Sequence, residues 1–539
     1  MKLAAKSLLL LPIFLTATFA VAQCNQPGQF CHIIIVIQEN RTPDDLFGAN
    51  LTFENGVDLA GGGYGIYVQN GQTYHQFIQD TSRPLNGCIQ EGGMTNCIDP
   101  DHKETGWVTD YNSGNMDGFC HEYAASGQCP SYSCVPQTEV QPYFDIAMNY
   151  GWANYFFQTN EGPSFNAHQF LFSGTSAGVS PGQRYSQYFV AENPGKDIHG
   201  NVGCPYIGTS FPAWVYTDES NAGALLQSEC YPHDTLVTNS SGDRGVNWGY
   251  YTPSEPAIWD APEALSEVCQ QVNNNRCTGT EWTTHVHVAD QGVYSDAPIF
   301  DDLKNCNLPA ISWVVPDKRY SDHATEDNTG LGPSFVGDIV DAVGGGMSGS
   351  TCNPPSTNNA LYWKQQPTAI FILWDDWGGW FDHVQPWAVY SNPADKTKCP
   401  ANEAPNGWGC GYVSGFRVPL LVVSPYTQAH YVSGACSGGT CQNDQFPYQH
   451  DFGSVLAFTE HNFNLPFIDG PPDDGYADYN APDWSSDHSS HVPLSDFFGS
   501  TPYLFTNINT SQPYTCFQNF GSCTGTTYVP GGPDSGDGD

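Results

Sequence analysis

Glu39 and Asn40 directly follow an apolar run at 31–37, and their side chains are of the kind that hold a cation. An unbroken apolar run of this kind is typical of a buried parallel strand. In open α/β sheets, ligand sites form beyond the carboxyl ends of such strands. Carboxylate and amide oxygens are hard ligands that suit a cation which also binds phosphate. A second interpretation stays open, in which Glu39 pairs with Arg41 or caps the next helix.

A second apolar run, at 368–373, ends in the same way and leads through Trp374 to Asp375 and Asp376. Two adjacent carboxylates repel each other, which raises a pKa and lowers stability unless a cation lies between them. The glycines at 378–379 allow close approach of the backbone, because they have no Cβ atom. The alternative is an exposed acidic turn, but the Trp and Phe residues around the pair favour a packed site.

Ser164 is the candidate nucleophile, because it follows a turn formed by Gly162 and Pro163 and precedes a predicted helix. The first turn of a helix has free backbone N–H groups and the positive end of the helix dipole, which favour an anion. A serine hydroxyl is a poor nucleophile unless a base or a metal activates it. The pairs at 39–40 and 375–376 could hold that metal. Taken alone, the position also fits an ordinary N-cap serine.

The elements that must position these side chains follow an α/β pattern. Besides the two apolar runs, the segment 419–424 predicts another buried strand. The segment 334–343 has an apolar residue at every fourth position from 335, which predicts a helix with Ser334 as its cap. Strands alternating with helical patterns indicate a mostly parallel central sheet flanked by helices.

Together these stretches resemble the phosphoesterase family that includes non-specific phospholipases C and a group of bacterial acid phosphatases, a branch of the alkaline phosphatase superfamily. The resemblance rests on QENRTPDDLF at 38–47, GPSFNAHQ at 162–169 and WDDWGGWFDHV at 374–384. Weaker matches lie at 101–119 and 311–323, and all five run in family order. The resemblance implies an α/β, alkaline-phosphatase-like fold with loop insertions and disulfides.

The resemblance also implies roles for single side chains around one divalent or similar metal ion. Oxygen ligands are compatible with calcium, magnesium, manganese or iron. Ser164 would be both ligand and nucleophile, at a position where many phospholipase members carry Thr. The implied metal ligands are Glu39, Asn40, Ser164, Asp375 and Asp376. The implied catalytic and phosphate-binding histidines are His102 and His323, and the further substrate contacts are Asn40 and His383.

The chain departs from the family pattern at three places. Positions 166–168 are Asn-Ala-His, where the family usually has Pro-Asn-Arg or Pro-Asn-His, which weakens the expectation of a phosphate contact from this helix. His323 is followed by Ala rather than the usual Pro. Many members have Asp-Glu in place of Asp375 and Asp376, a change that preserves the charge.

A further histidine pair, His285 and His287, alternates like residues on one face of a strand. This spacing could bind a metal, but a structural role is the favoured interpretation.

Residues 1–22 have the pattern of a secretion signal, with lysines before an apolar stretch that is too short for a comfortable membrane span. Because the family motifs are interleaved along the chain, we expect a single phosphoesterase catalytic domain over 23–529. The Gly/Asp-rich segment 530–539 predicts a disordered acidic tail. The protein is therefore expected to be secreted, to the periplasm or the medium, without a stable membrane anchor.

All 19 cysteines lie beyond the predicted signal, and in an exported protein they indicate disulfides. The number is odd, so at least one thiol is unpaired or bonded elsewhere. No Cys-x-x-Cys pair occurs, which argues against a zinc ribbon. Closely spaced pairs that suggest local loops are Cys436/Cys441, Cys516/Cys523 and Cys399/Cys410.

The chain is strongly acidic, with 16 Lys and Arg against 56 Asp and Glu and a net charge of −40. Binding of nucleic acid through phosphate neutralisation is excluded by this balance. The same charge opposes docking on anionic membranes. Self-repulsion is weakest at low pH, where carboxylates protonate, and this suits an acidic habitat.

The sequence therefore predicts a secreted metal-dependent phosphoesterase, of acid phosphatase type, that acts on a small phosphate ester through a phosphoserine intermediate. One alternative is a phospholipase C that cleaves phospholipid head groups. Another is a non-catalytic secreted carbohydrate-binding protein, because 14 Trp and 29 Tyr provide stacking surface. The binding protein would leave the two polar pairs unexplained. The oligomeric state stays open.

Overall fold

A computed structural model describes most of the chain between Cys24 and Thr524. The predicted signal segment, the acidic tail, Cys399 and Cys410 lie outside the described residues. The described residues are 24, 29–60, 64–69, 72–77, 82–91, 94–121, 129–176, 192–195, 201–206, 214–218, 221–225, 230–232, 234–239, 242–289, 293–325, 327–356, 358–386, 414–442, 445–468, 477–479, 481–485 and 487–524.

The secondary structure alternates between strands and helices along the chain. The strands are β1 (His32–Gln38), β2 (Tyr64–Gln69), β3 (Gln72–Phe77), β4 (Cys88–Glu91), β5 (Met94–Cys97), β6 (Gly151–Ala153), β7 (Phe156–Phe157), β8 (Trp214–Asp218), β9 (Asn221–Leu225), β10 (Thr238–Asn239), β11 (Gly242–Asp243), β12 (Trp248–Thr252), β13 (Val272–Asn273), β14 (Arg276–Cys277), β15 (Val286–Val288), β16 (Ile311–Val314), β17 (Thr368–Trp374), β18 (Leu420–Val423), β19 (Tyr431–Ser433) and β20 (His450–Asp451). The α-helices are α1 (Pro43–Phe47), α2 (Glu104–Tyr111), α3 (Gln141–Asn149), α4 (Ser164–Ser173), α5 (Thr280–His285), α6 (Pro298–Asn305), α7 (Gly332–Gly344), α8 (Phe452–Phe463) and α9 (Tyr514–Gln518).

An 8-stranded central sheet organises the fold, in the order β15-β12-β16-β1-β17-β18-β6-β19. Strand β1 lies in its middle and pairs in parallel with β16 and β17, with Ile33 opposite Ile311 on one side and Ala369 on the other. Only the two pairs that β18 makes, with β17 and with β6, are antiparallel. The predicted α/β architecture with a mostly parallel sheet is confirmed.

The two strands that precede the polar pairs are buried along their length. Every residue of β17 is buried, and so is every residue of β1 after His32. Central parallel strands covered on both faces need continuous apolar runs, which explains why the sequence shows no alternation here. The strands predicted at 31–37, 368–373 and 419–424 are confirmed.

Helix α7 packs on the sheet through the apolar face that the sequence predicted, but Ser334 is not its cap. The helix begins at Gly332, and its N-cap is Leu331. Pro333 lies in the first turn, where a missing N–H costs nothing and the fixed φ suits a helix. The Ser334 hydroxyl lies 2.7 Å from that of Ser511 instead, so this prediction was wrong.

Disulfides join neighbouring segments of the described chain, and the pairs predicted for Cys436 with Cys441 and for Cys516 with Cys523 are confirmed. Among the described cysteines, Cys134 is a buried free thiol. The other bonds join Cys24 to Cys31, Cys88 to Cys97, Cys120 to Cys129, Cys204 to Cys230, Cys269 to Cys277 and Cys306 to Cys352.

The buried carboxyl group of Asp338 and the half-buried one of Asp341, both on α7, are expected to make the fold sensitive to pH. Asp338 accepts a hydrogen bond from Thr510 and Asp341 accepts one from the backbone of Ile508. Burial raises the pKa of Asp338 to about 8 and that of Asp341 to about 7. A raised pKa favours the neutral form in the folded state, so this stabilisation is complete below about pH 4 and is lost as the pH rises through 7 to 8.

We therefore expect the denaturant midpoint of the wild type to fall between pH 4.5 and pH 8. Asp338→Asn keeps the shape of the side chain without its charge, so its midpoint should fall less over the same interval. Urea unfolding of both proteins at the two pH values measures the difference. An equal fall in both would contradict the assignment of this pH dependence to Asp338.

In the part of the chain that is described, no helix combines the length and the apolar character that a membrane crossing requires.

Candidate active site

Backbone hydrogen bonds join the carboxyl end of β1 to that of β17, and this brings the two polar pairs together. The amide of Asp375 donates to the carbonyl of Gln38 at 2.9 Å, and the amide of Arg41 donates to the carbonyl of Asp376 at 3.0 Å. The amide of Asn40 donates to Asp375 Oδ1 at 2.9 Å. The two segments therefore cross at the strand ends, where an α/β sheet places its ligands.

The crossing depends on an unusual backbone and on the two glycines. Asn40 has φ of 60°, in the left-handed region that non-glycine residues seldom adopt. A Cβ atom on Gly378 would lie 2.4 Å from the carbonyl oxygen of Asn40, and one on Gly379 would lie 2.5 Å from the Cβ of Pro100. The close approach predicted for 378–379 is confirmed.

Glu39 neither pairs with Arg41 nor caps the next helix, so that alternative was wrong. The Arg41 guanidinium donates instead to Asp45 Oδ2 at 2.9 Å and, through Nε, to the carbonyl of Asp322 at 3.1 Å. Helix α1 is capped by Thr42, whose Oγ1 accepts from the amide of Asp45. The carboxylate of Glu39 is thereby left to the site.

Ser164 is buried and contacts both acidic segments. Its Oγ lies 3.2 Å from Glu39 Oε2 and 3.3 Å from Asp376 Oδ2, so one hydroxyl hydrogen serves two carboxylates. Ser164 is the first residue of α4, and the N-cap is Pro163. The N-cap interpretation was therefore wrong, because this hydroxyl faces the carboxylates and not the backbone of its own helix.

The electrostatics of this cluster fit a bound cation. Glu39, Asp375 and Asp376 are each 0% exposed. Burial, followed by repulsion from Asp375 and Asp376, raises the pKa of Glu39 well above its ordinary value. Within the described chain, no Lys or Arg nitrogen lies within 4 Å of Glu39 or Asp375. The alternative of an exposed acidic turn was therefore wrong. The negative charge of several buried carboxylates is destabilising unless a positive charge lies nearby.

Two buried oxygens in the cluster make no hydrogen bond with the described residues. They are Asn40 Oδ1 and Asp375 Oδ2. A buried polar atom without a partner is destabilising unless a ligand uses it. Carboxylate, amide and hydroxyl oxygens form the donor set of a hard divalent cation. The predicted ligands Glu39, Asn40, Ser164, Asp375 and Asp376 therefore fit such an ion.

His168 belongs to the cluster although the sequence did not assign it there. Its Nε2 lies 3.0 Å from Glu39 Oε1 and 3.9 Å from Asp375 Oδ2. Burial lowers the pKa of His168 to about 4, so the ring is neutral and can serve as a ligand or hold Glu39 in place. The Tyr250 hydroxyl lies 3.4 Å from its other ring nitrogen. The only indication in the sequence was its place in the 162–169 motif.

The two histidines implied as phosphate contacts lie side by side. The rings of His102 and His323 are 6.0 Å apart between centroids, and Trp259 lies 6.0 Å beyond His323. His102 Nδ1 donates to the carbonyl of Pro100 at 2.8 Å, so in the neutral ring Nε2 is an acceptor. That Nε2 lies 3.2 Å from Asn40 Nδ2. The structure therefore connects His102 to the ligand cluster through Asn40.

Comparison of the sequence with models of known protein families assigns the chain to a family. The model of the phosphoesterase family matches residues 30–466. The chain belongs to the phosphoesterase family. This assignment covers the polar pairs, Ser164 and both histidines.

Curated relatives of this phosphoesterase-family chain are distant. A non-hemolytic phospholipase C of Burkholderia pseudomallei is 24% identical, over 80% of the chain and 55% of the relative. Phospholipase C A of Mycobacterium tuberculosis is 25% identical, over 74% of the chain and 68% of the relative. A hemolytic phospholipase C of Pseudomonas aeruginosa is 25% identical, over 80% and 53% respectively. The chain thus spans from about half to two thirds of the length of these relatives.

His383 lies in a separate group of charged residues. Its Nδ1 is 2.7 Å from Asp44 Oδ2 and its Nε2 is 3.2 Å from Asp58 Oδ1. Burial lowers the pKa of His383, but the carboxylates outweigh it and raise that pKa to about 10. No described contact joins this histidine to Ser164, and both ring nitrogens are engaged. Its role as a substrate contact stays a prediction.

His285 and His287 do not share a strand face, so that prediction was wrong. His285 is the last residue of α5, and His287 lies in β15. His287 stacks on Tyr251 with ring centroids 4.6 Å apart. The helix ends between the two residues, which removes the alternation that the spacing suggested.

Proposed function

We propose that this protein is a secreted, metal-dependent phosphoesterase in which Ser164 attacks the phosphorus of a phosphate ester. The proposal depends on one observation. The Ser164 hydroxyl lies 3.2 and 3.3 Å from two buried carboxylates, beside buried oxygens of Asn40 and Asp375 that have no hydrogen-bond partner among the residues the structure describes. A serine used only for structure would not need such neighbours.

The residues of the cluster divide the chemical work. A cation held there would neutralise phosphate charge and lower the pKa of the nucleophile. Ser164 Oγ forms a bond to phosphorus as the bond to the leaving alcohol breaks, and its proton passes to Glu39 or Asp376, the carboxylates it already contacts. Water then opens the phosphoserine, which releases phosphate and restores the hydroxyl.

The hydrogen bond that His102 makes through Nδ1 decides when its ring can donate a proton at Nε2. Because its Nδ1–H is held by the carbonyl of Pro100, a neutral His102 can only accept at Nε2. The protonated ring gains an Nε2–H and can donate to a phosphate oxygen or protonate the leaving group. His323 lies beside it and can share either role. The need for a donor at His102 Nε2 supports an acid phosphatase type.

Soluble phosphate monoesters are the proposed substrates. A net charge of −40 opposes approach to anionic lipid surfaces. The carbohydrate-binding alternative loses its support, because many of the large aromatic side chains are in the core and unavailable for stacking on a glycan. Among the described residues, the fully buried tryptophans are Trp152, Trp248, Trp313, Trp374, Trp377 and Trp380.

Phospholipase C activity is the second candidate, and the names of the relatives favour it. Both reactions use the same nucleophile and cation, so the surroundings of the site decide between them. Zwitterionic phosphatidylcholine avoids the repulsion that anionic lipids would meet.

The two candidates are separated by rates measured side by side at pH 5 on a soluble aryl phosphate and on phosphatidylcholine vesicles. We expect kcat/KM for the aryl phosphate to be at least about tenfold higher. Faster cleavage of the vesicles would overturn the substrate assignment and leave the nucleophile intact. Absence of turnover on both, with added divalent ions, would refute the phosphoesterase proposal itself.

A further inference from the structure

Asp243, Glu281 and His285 form a second group of possible metal ligands at the edge of the central sheet. Asp243 ends the β10–β11 hairpin. Glu281 and His285 are four residues apart on α5, so they lie on the same helix face. One ligand atom from each of the three lies within 4.8 Å of the others. None of the three belongs to the Ser164 cluster.

The orientation of His285 is fixed from behind. Its Nδ1 donates to the carbonyl of Trp248 at 2.9 Å, and its ring stacks on the Trp248 indole at 4.5 Å and 15°. Only 8% of the residue is exposed. In the neutral ring this leaves the lone pair on Nε2, which faces the two carboxylates. Histidines that bind metals commonly donate their other N–H to a backbone carbonyl in this way.

The carboxylates approach His285 without completing a hydrogen bond. Nε2 lies 3.7 Å from Glu281 Oε2 and 4.0 Å from Asp243 Oδ2. Glu281 Oε2 is buried and has no hydrogen-bond partner in the described chain. Oδ1 of Asp243 accepts from the amide of Gly245, which directs the side chain and leaves Oδ2 available.

These separations suit ligands that share an ion. Two ligands of a tetrahedral zinc at roughly 2.0–2.1 Å stand about 3.3 Å apart, so a small inward movement would close the site. Asp243 is on the solvent side, where water can supply a fourth ligand. One imidazole with two carboxylates suits zinc and similar transition ions better than calcium or magnesium, which prefer oxygen ligands alone.

We propose that Asp243, Glu281 and His285 bind a divalent transition ion, with zinc the best match, at a structural site that ties the β10–β11 hairpin to α5. This site is independent of the proposed function, because it shares no residue with the Ser164 cluster. The competing explanation is a plain ion pair between protonated His285 and the two carboxylates.

The test measures zinc binding to the full chain after chelator treatment, in a background whose Ser164 cluster lacks two of its carboxylates. Asp375→Asn with Asp376→Asn provides that background. Calorimetry with zinc chloride at pH 7.5 should give one ion per chain. In the same background His285→Gln should weaken zinc binding at least about 100-fold, and Glu281→Gln at least about tenfold. His287→Gln is the matched control and should bind as the background does.

Each remaining outcome counts against the site. No zinc bound by the background protein overturns it, and so does equal binding after His285→Gln. A loss of thermal stability in His285→Gln that is the same with and without zinc indicates the plain ion pair and also overturns it. Aryl phosphate hydrolysis by His285→Gln in the otherwise wild-type chain should stay within about twofold, which keeps this result separate from the fate of the Ser164 proposal.

Discussion

Ser164→Ala is expected to lower turnover of a phosphate ester by about 10³-fold or more, the usual scale for loss of an activated nucleophile. The hydroxyl of Ser164 contacts the carboxylates of both Glu39 and Asp376. The variant should fold, because removing one oxygen from the first turn leaves the helix hydrogen bonds in place. Rates on an aryl phosphate, with circular dichroism of the same samples, provide the measurement.

Ser173→Ala is the matched control, because it makes the same change on the same helix. The Ser173 hydroxyl is also buried, but it donates to the carbonyl of Gln169 at 2.7 Å and serves only the local backbone. Its activity should stay close to that of the wild type. If Ser164→Ala kept activity within about tenfold of the wild type, Ser164 could not be the nucleophile.

The parts of the fold that the sequence predicted are those with a local cause. A strand buried on both faces must be apolar throughout, so β1 and β17 were visible as unbroken runs. The close backbone approach at Gly378 could be predicted because glycine lacks a Cβ atom, and the structure gives Asn40 as the neighbour. The polar pairs at the ends of these strands followed from the general position of ligand sites in α/β sheets.

Features that depend on distant partners could not be predicted. His168 contacts Glu39 across 129 residues of sequence, and no local pattern encodes that contact. Ser334 is a residue type that commonly caps helices, but α7 begins at Gly332, and the Ser334 hydroxyl lies 2.7 Å from that of Ser511. His285 looked like a strand residue because its spacing from His287 contains no sign of the helix end.

The same limit explains why Glu39, Ser164 and the acidic pair at 375–376 each had a structural alternative. An isolated Ser at a helix start is usually a cap, and an isolated acidic pair is usually an exposed turn. For Ser164 and the pair Asp375 and Asp376, a functional site becomes the better interpretation only when both are considered together, because the contact between them explains why both are buried. The tertiary structure shows this contact, whereas the sequence shows only the order of the motifs along the chain.

Asp375→Asn and Asp376→Asn are each expected to weaken metal binding by more than about 100-fold and to abolish most of the activity. Each removes one negative charge that a bound cation would balance, and it leaves Asn40 Oδ1 in a ligand set with one carboxylate fewer. Metal content by elemental analysis after dialysis, together with the melting temperature, measures the effect. Asp382→Asn is the control, because Asp382 is equally buried but accepts two hydrogen bonds from Arg417, each at 2.9 Å.

The control should lose stability and keep its metal, since it leaves the Arg417 guanidinium without its paired acceptor. The two site variants should show the opposite pattern in the metal-free state. There the loss of one carboxylate relieves the repulsion that raises the pKa of Glu39, so the melting temperature should rise. With metal present the wild type should have the higher melting temperature, because only its intact ligand set binds the ion tightly and is stabilised by it. Equal metal content in the wild type and both site variants would show that Asp375 and Asp376 are not ligands, whatever happens to stability.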